Sequence, residues 1–154
     1  MFSIRRVLFP TDFSEPAEYA WTYALAFGQQ FGAEVHLVHV VAPPPHLTET
    51  YAVTFDPERT VQGLTEEASA LLDQQVEAAK SQGLLFYCEV RVGVDYREII
   101  DYANKHDVDL IVMATHGRTG LAHVLLGSVA EKVVRKAPCP VLTIKHPTLK
   151  VQMP

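Results

Sequence analysis

Two short stretches combine residue types that hold anions and hydroxyl groups. One is the run from Met113 to Ser128, MATHGRTGLAHVLLGS; the other is Pro10-Thr11-Asp12. In the first, Gly117 and Gly127 allow the backbone to approach a ligand closely, and Gly127-Ser128 stand where a helix must begin. The free N–H groups and partial positive charge of a helix N-terminus attract phosphate oxygens, and the Ser128 hydroxyl adds a donor. The same residues also read as plain turn glycines, Gly117 and Gly120, followed by a helix cap; spacing alone leaves both open. Asp12 is equally two-sided. It either accepts from ribose hydroxyls and helps to hold a metal, or caps a helix that begins near Ser14.

Familiar catalytic spacings are absent from the sequence. It contains no GxxxxGK[ST], no GxGxxG, no GxSxG and no HExxH, so neither a phosphate-gripping lysine nor an activated nucleophile is indicated. Of seven histidines, only His116 lies in the glycine-bearing loop close to its start. His36, His39 and His123 are expected to be packed or solvated rather than ligands. Cys88 and Cys139 have no CxxC spacing and are expected as buried or partly buried free thiols.

The elements that would position these residues alternate regularly. Ile4 to Phe9 is an apolar strand stopped by Pro10. Ser14 opens a helix with Ala17, Ala20, Trp21, Ala24, Leu25 and Phe31 on its inner face. Glu34 to Val41 is a second strand, ended by Pro43 to Pro45. Residues 43–60 mix Pro, Thr, His and Tyr without a period and are expected as a long excursion able to cover a site. Ala68, Leu71, Leu72, Val76 and Ala79 then form one helical stripe.

Leu85 to Val92 is the third strand. Asp95 is expected to cap a helix carrying Ile99, Ile100 and Ala103, and Asp109 to Ala114 is the fourth and most apolar strand. The last helix turns Val129, Val133 and Val134 inward, and Val141 to Ile144 is the final strand. Five alternations predict one α/β domain over residues 1–147 with a short tail at 148–154. Its core is an open five-stranded parallel sheet, order 3-2-1-4-5, with helices on both faces. In such a sheet ligands sit beyond the strand ends where the winding reverses, between the first and fourth strands.

Composition narrows the partners. The chain of 154 residues carries 13 Lys+Arg against 18 Asp+Glu, a net charge of -5. No broad basic face is available for a nucleic-acid backbone. Only three apolar residues precede Pro10 after the two N-terminal arginines, too few for a signal peptide, and no segment approaches the ~20 apolar residues of a membrane span. A cytoplasmic protein without nucleic-acid or membrane partners is expected.

With these residues in view, the chain resembles the universal stress protein family along nearly its whole length. The ATP-binding subgroup of that family has glycine, two residues, glycine, nine residues, then glycine with serine or threonine. Gly117 and Gly127-Ser128 match it, while Ala114 stands in place of the first glycine. LFPTDFS around Asp12, the HVV of His39 to Val41, Val92-Gly93 and APCPVLTIK are similar to the family as well.

The resemblance implies that Pro10, Thr11 and Asp12 line the adenosine end, with Val40 against the base. Met113, Ala114, Gly117, Arg118, Gly127, Ser128 and Val129 would hold ribose and phosphates. It implies ATP as ligand, with Mg²⁺ held through Asp12, and a homodimer through the edge strand Val141–Ile144. A regulatory module with little or no turnover is the leading expectation. The alternatives are a weak Mg-dependent ATP hydrolase using Asp12 with His116 or Arg118, and a dimeric interaction protein that binds no nucleotide.

Overall fold

The computed structural model describes residues 3–43, 56–117 and 126–148. Five strands, β1 (Arg6–Pro10), β2 (Glu34–Val41), β3 (Phe86–Val92), β4 (Leu110–Ala114) and β5 (Val141–Ile144), alternate with four helices. The helices are α1 (Glu15–Phe31), α2 (Pro57–Ala79), α3 (Asp95–Lys105) and α4 (Ser128–Lys136), and a 3₁₀ turn, Lys80–Gln82, follows α2. The sheet runs β3-β2-β1-β4-β5 and every pairing is parallel. This is the order expected from the sequence.

Alternation along the central strands divides the core into two layers. Val7, Phe9, Val35, Leu37 and Val112 face α1 and α2, where they pack with Ala20, Trp21, Ala24 and Leu72. Leu8, Val38, Ile111 and Met113 face α3 and α4, against Ile99, Tyr102, Ala103 and Val133. The Trp21 and Phe9 rings are 5.0 Å apart. Burying each large apolar side chain is worth roughly 1.5–3 kcal/mol. The bonds of Arg91 to Glu89, Glu98 and Asp101, at 2.6–3.0 Å, tie α3 to the edge strand with less than about 1 kcal/mol per partly exposed pair. Packing, not charge, holds the helices down.

Several local expectations need correction. Pro10 does not stop β1 but ends it inside the ladder, opposite Val38. Asp109 lies outside β4, and its carboxylate accepts the N–H groups of Arg5 and Arg6 at 2.8 and 3.0 Å. The irregular stretch ends earlier than residue 60, because the Asp56 side chain accepts from Arg59 N and caps α2; residues 44–55 lie outside the described residues. Phe31 and Val134 are 41% and 47% exposed rather than inward, since each falls past the buried arc of its helix. Cys88 is exposed because β3 is an edge strand, although desolvation, followed by the Asp73 carboxylate, raises its thiol pKa to about 11. Cys139 is partly buried as expected. Among the described residues no helix is long and apolar enough to cross a membrane.

His36 is buried on the α3 side of β2, where its Nδ1 shares a 2.8 Å hydrogen bond with the Tyr102 hydroxyl. Desolvation lowers its pKa from the usual 6.5, outweighing the nearby Glu34 carboxylate; His106 and Arg6 lower it further. The folded state thus resists protonation more than the unfolded chain does. Stability is complete above pH 6.5 and declines as the pH falls below that value towards the depressed folded pKa. Thermal unfolding of the wild type should therefore show a lower Tm at about pH 5 than at about pH 7.5, and His36→Gln should flatten that difference. An equal pH dependence in both proteins would show that other groups control it.

Candidate functional site

β1 and β4 lie side by side, but the chain leaves β1 for α1 on one face and leaves β4 for α4 on the other. Their exit loops must diverge, so a crevice opens beyond the carboxyl ends of the strands. A cavity of about 790 Å³ occupies it, inside the ~300–1,000 Å³ usual for small-molecule sites. Pro10, Thr11, Asp12, Val40, Met113, Ala114, Gly117, Gly127, Ser128 and Val129 all line this one space. Arg118, Gly120 and His123 lie outside the described residues.

On the β1 side the turn is tightly organised. Thr11 N donates to Val38 O at 2.9 Å, and Phe13 N donates to Thr11 Oγ1 at 3.0 Å. Asp12 Oδ1 accepts from Ser14 N at 3.1 Å and from Ser14 Oγ at 2.5 Å. Ser14 Oγ in turn accepts from Ala17 N and caps α1. Ser14, not Asp12, is therefore the cap of α1; Asp12 supports it indirectly and borders the cavity.

On the β4 side, Thr115 N continues the ladder to Ile144 O, and Gly127 N returns to Thr115 O at 2.7 Å. That return bond closes the intervening loop at its base. A Cβ on Gly127 would stand 3.0 Å from Thr115 O, and one on Gly117 would collide with Asp12 Oδ2. Each glycine permits an approach that a side chain would crowd. Gly127 is the N-cap of α4 and no side-chain hydrogen bond caps this end among the described residues; the first turn borders the cavity, and the first N–H groups of a helix have no intrahelical acceptor. His116 is buried, with Nδ1 3.0 Å from Thr115 Oγ1.

Sequence reasoning missed several residues of the lining. His39, Phe13 and Asp95 border the cavity, and Leu64, Glu67 and Leu71 of α2 face it. Asp95 does not cap α3; Val94 holds that position without a side-chain bond, and Asp95 is the first helical residue. Burial raises the Asp95 pKa, His39 opposes the rise and Asp12 adds to it. Phe13 and Asp95 share one signal, a place shortly beyond a strand's carboxyl end, whereas His39 lies within β2 and Leu64, Glu67 and Leu71 lie on α2. Leu71 belongs to the apolar stripe of α2 yet is 36% exposed. Among the described residues no group of three or more His, Cys, Asp or Glu side chains is arranged to hold a metal ion.

The sequence profile described as the Universal stress protein family matches residues 3–145. The chain belongs to the universal stress protein family. Universal stress protein MJ0531 of Methanocaldococcus jannaschii is 36% identical over 143 residues, covering 93% of this chain and 83% of that protein. Universal stress protein MJ0577 of the same organism is 32% identical over 154 residues, covering 92% and 95%. Its solved structure superposes with a TM-score of 0.83 at 33% identity, covering 96% of this chain and 99% of the other. A universal stress protein solved in complex with cAMP shares the fold, with a TM-score of 0.68, 22% identity and coverage of 93% and 98%.

The glycine nearest Asp12 offers a direct check on this geometry. In Gly117→Ala the new methyl group must push the Asp12 carboxylate aside and disturb its hold on Ser14. The expected cost is about 1 kcal/mol, the scale of a lost N-cap. Denaturant unfolding of Gly117→Ala, Asp12→Ala and the double variant should show coupling, with the double variant losing less than the sum. Strict additivity would mean that the two residues do not meet.

Proposed function

We propose that this universal stress protein binds ATP or a related adenine nucleotide in the β1–β4 crevice, as a regulatory module with little or no turnover. The observation that carries the proposal is the uncapped N-terminus of α4 opening onto the cavity that Asp12 borders. Backbone N–H groups and the helix dipole suit phosphate oxygens at one end. At the other, the Asp12 carboxylate suits ribose hydroxyls, and Val40, half-buried at the end of β2, offers an apolar wall to the base. The complex of a family member with cAMP supports an adenine nucleotide as the class of ligand.

Gly117 and Gly127-Ser128 supply the later part of the ATP-binding signature, and Ala114 replaces its first glycine. Ala114 ends β4, opposite Ile144, and lines the cavity. Its single methyl group is the smallest possible addition at that edge. Mg²⁺ would arrive on the phosphates, with Asp12 as its protein contact, because a divalent cation of this kind commonly takes one or two carboxylates plus phosphate oxygens. Arg118 is proposed as a further phosphate contact.

Equilibrium dialysis with labelled ATP tests the assignment. Wild type should bind, and Gly127→Val should weaken binding by at least about tenfold, equivalent to ~1.4 kcal/mol. At ATP one hundred times above its dissociation constant, thermal unfolding should report roughly 2.7 kcal/mol of stabilisation. A wild type that neither binds ATP nor shifts would favour a nucleotide-free interaction protein. Phosphate release that is steady and abolished by Asp12→Ala would instead establish a hydrolase.

We also propose a homodimer through β5. This strand is an edge of the sheet, bonded to β4 alone, and Val141, Leu142 and Thr143 remain half-buried. An apolar edge invites pairing, and a twin copy would satisfy it. Sedimentation equilibrium should give twice the chain mass of 17.1 kDa, and Thr143→Arg should shift the species to monomer. A wild-type monomer at micromolar concentration would overturn the proposal.

A further inference from the structure

Thr11, Asp12 and Phe13 form a constrained turn bordering the cavity. Phe13 has φ +60, a left-handed conformation that a bulky side chain adopts only when its surroundings enforce it. The enforcement comes from β2. Val38 O accepts Thr11 N at 2.9 Å, and the His39 ring reaches the same turn from the next position along that strand. His39 Nδ1 lies 2.8 Å from Thr11 O, and its ring lies 4.7 Å from the Phe13 ring at a 30° tilt.

A carbonyl oxygen can only accept, so Nδ1 must carry the proton and donate it. One imidazole therefore secures the residue before Asp12 by a hydrogen bond and the residue after it by ring contact. Asp12 is fixed between two tethered neighbours, with its carboxylate directed at Gly117.

We infer that His39 is a positioning residue of the nucleotide site: through Thr11 and Phe13 it holds the Asp12 turn in its strained, ligand-ready form. The inference rests on the nucleotide-binding proposal only for its consequence in affinity; the positioning itself is independent of any ligand. Sequence pattern hides this role, because His39 occupies an ordinary place in an apolar strand and its partners lie 26 to 28 positions away.

Three variants separate positioning from general stability. Asparagine can place an amide nitrogen close to the position of Nδ1, glutamine places it farther out, and leucine removes the donor. His39→Leu should weaken ATP binding by about tenfold, the consequence of losing one partly buried hydrogen bond at a site. His39→Asn should recover most of that affinity and His39→Gln should not. Nitrogen-15 NMR of wild type should show the neutral His39 ring protonated on Nδ1. Amide hydrogen exchange at Phe13 should accelerate in His39→Leu and slow again in His39→Asn.

The ring tautomer and the exchange rates need no nucleotide, so they decide the inference even if wild type fails to bind ATP and the functional proposal falls. A ring protonated on Nε2 alone would overturn it, as would equal Phe13 exchange in the wild type and all folded variants. If His39→Leu does not fold, the contrast between His39→Asn and His39→Gln carries the same decision.

Discussion

A parallel sheet wound in both directions from its middle cannot close over the ends of its two central strands. The crossovers from β1 through α1 and from β4 through α4 are right-handed, so the two helices pack on opposite faces and their entry loops part company. Everything at the site follows from that divergence. The cavity lies beyond the carboxyl ends of β1, β2 and β4, and residues of α2, α3 and α4 complete its lining.

The core extends to the floor of this opening, where Val38, Ile99 and Met113 line it, but its largest buried side chains lie deeper. Phe9 and Trp21 on one face, with Ile111 and Val133 on the other, are buried to 7% exposure or less. The carboxylate of Asp109 secures the N-terminal edge of the sheet by taking two backbone N–H groups. The site end contains the contrasting features: a left-handed Phe13, an uncapped helix start and two glycines in contact with polar atoms. A stable core at one level of the sheet allows strain at the other. The proposed nucleotide would place its phosphates at the N-terminus of α4, beside these local departures from ideal structure.

Asp12 and Asp95 border the same space. Burial raises the Asp95 pKa, His39 opposes that rise and the Asp12 carboxylate adds to it. Asp95 reached this position because Val94, not Asp95, is the N-cap of α3, a one-residue shift that turns a presumed capping group toward the cavity.

Periodicity in the sequence was sufficient for the alternating elements and for most of the core, because apolar alternation and helical stripes are local patterns with a physical period; the sheet order came from placing the loops after the first and fourth strands at one switch point. Glycine placement and Asp12 were legible too, and the family resemblance gathered them into one site. Element ends were less legible: Pro10 remained in the ladder because its fixed φ suits a last strand residue, and Phe31 and Val134 fell outside arcs that only packing defines. Cys88 looked like a core thiol until the topology put β3 at an edge. The sequence by itself determined that residues near 12 and 117 follow strand ends and that Gly127-Ser128 begin a helix. Only the tertiary structure could bring His39 to Thr11 and Phe13, Gly117 to Asp12, and Asp95 into the same cavity, because those contacts depend on side-chain direction across separate strands.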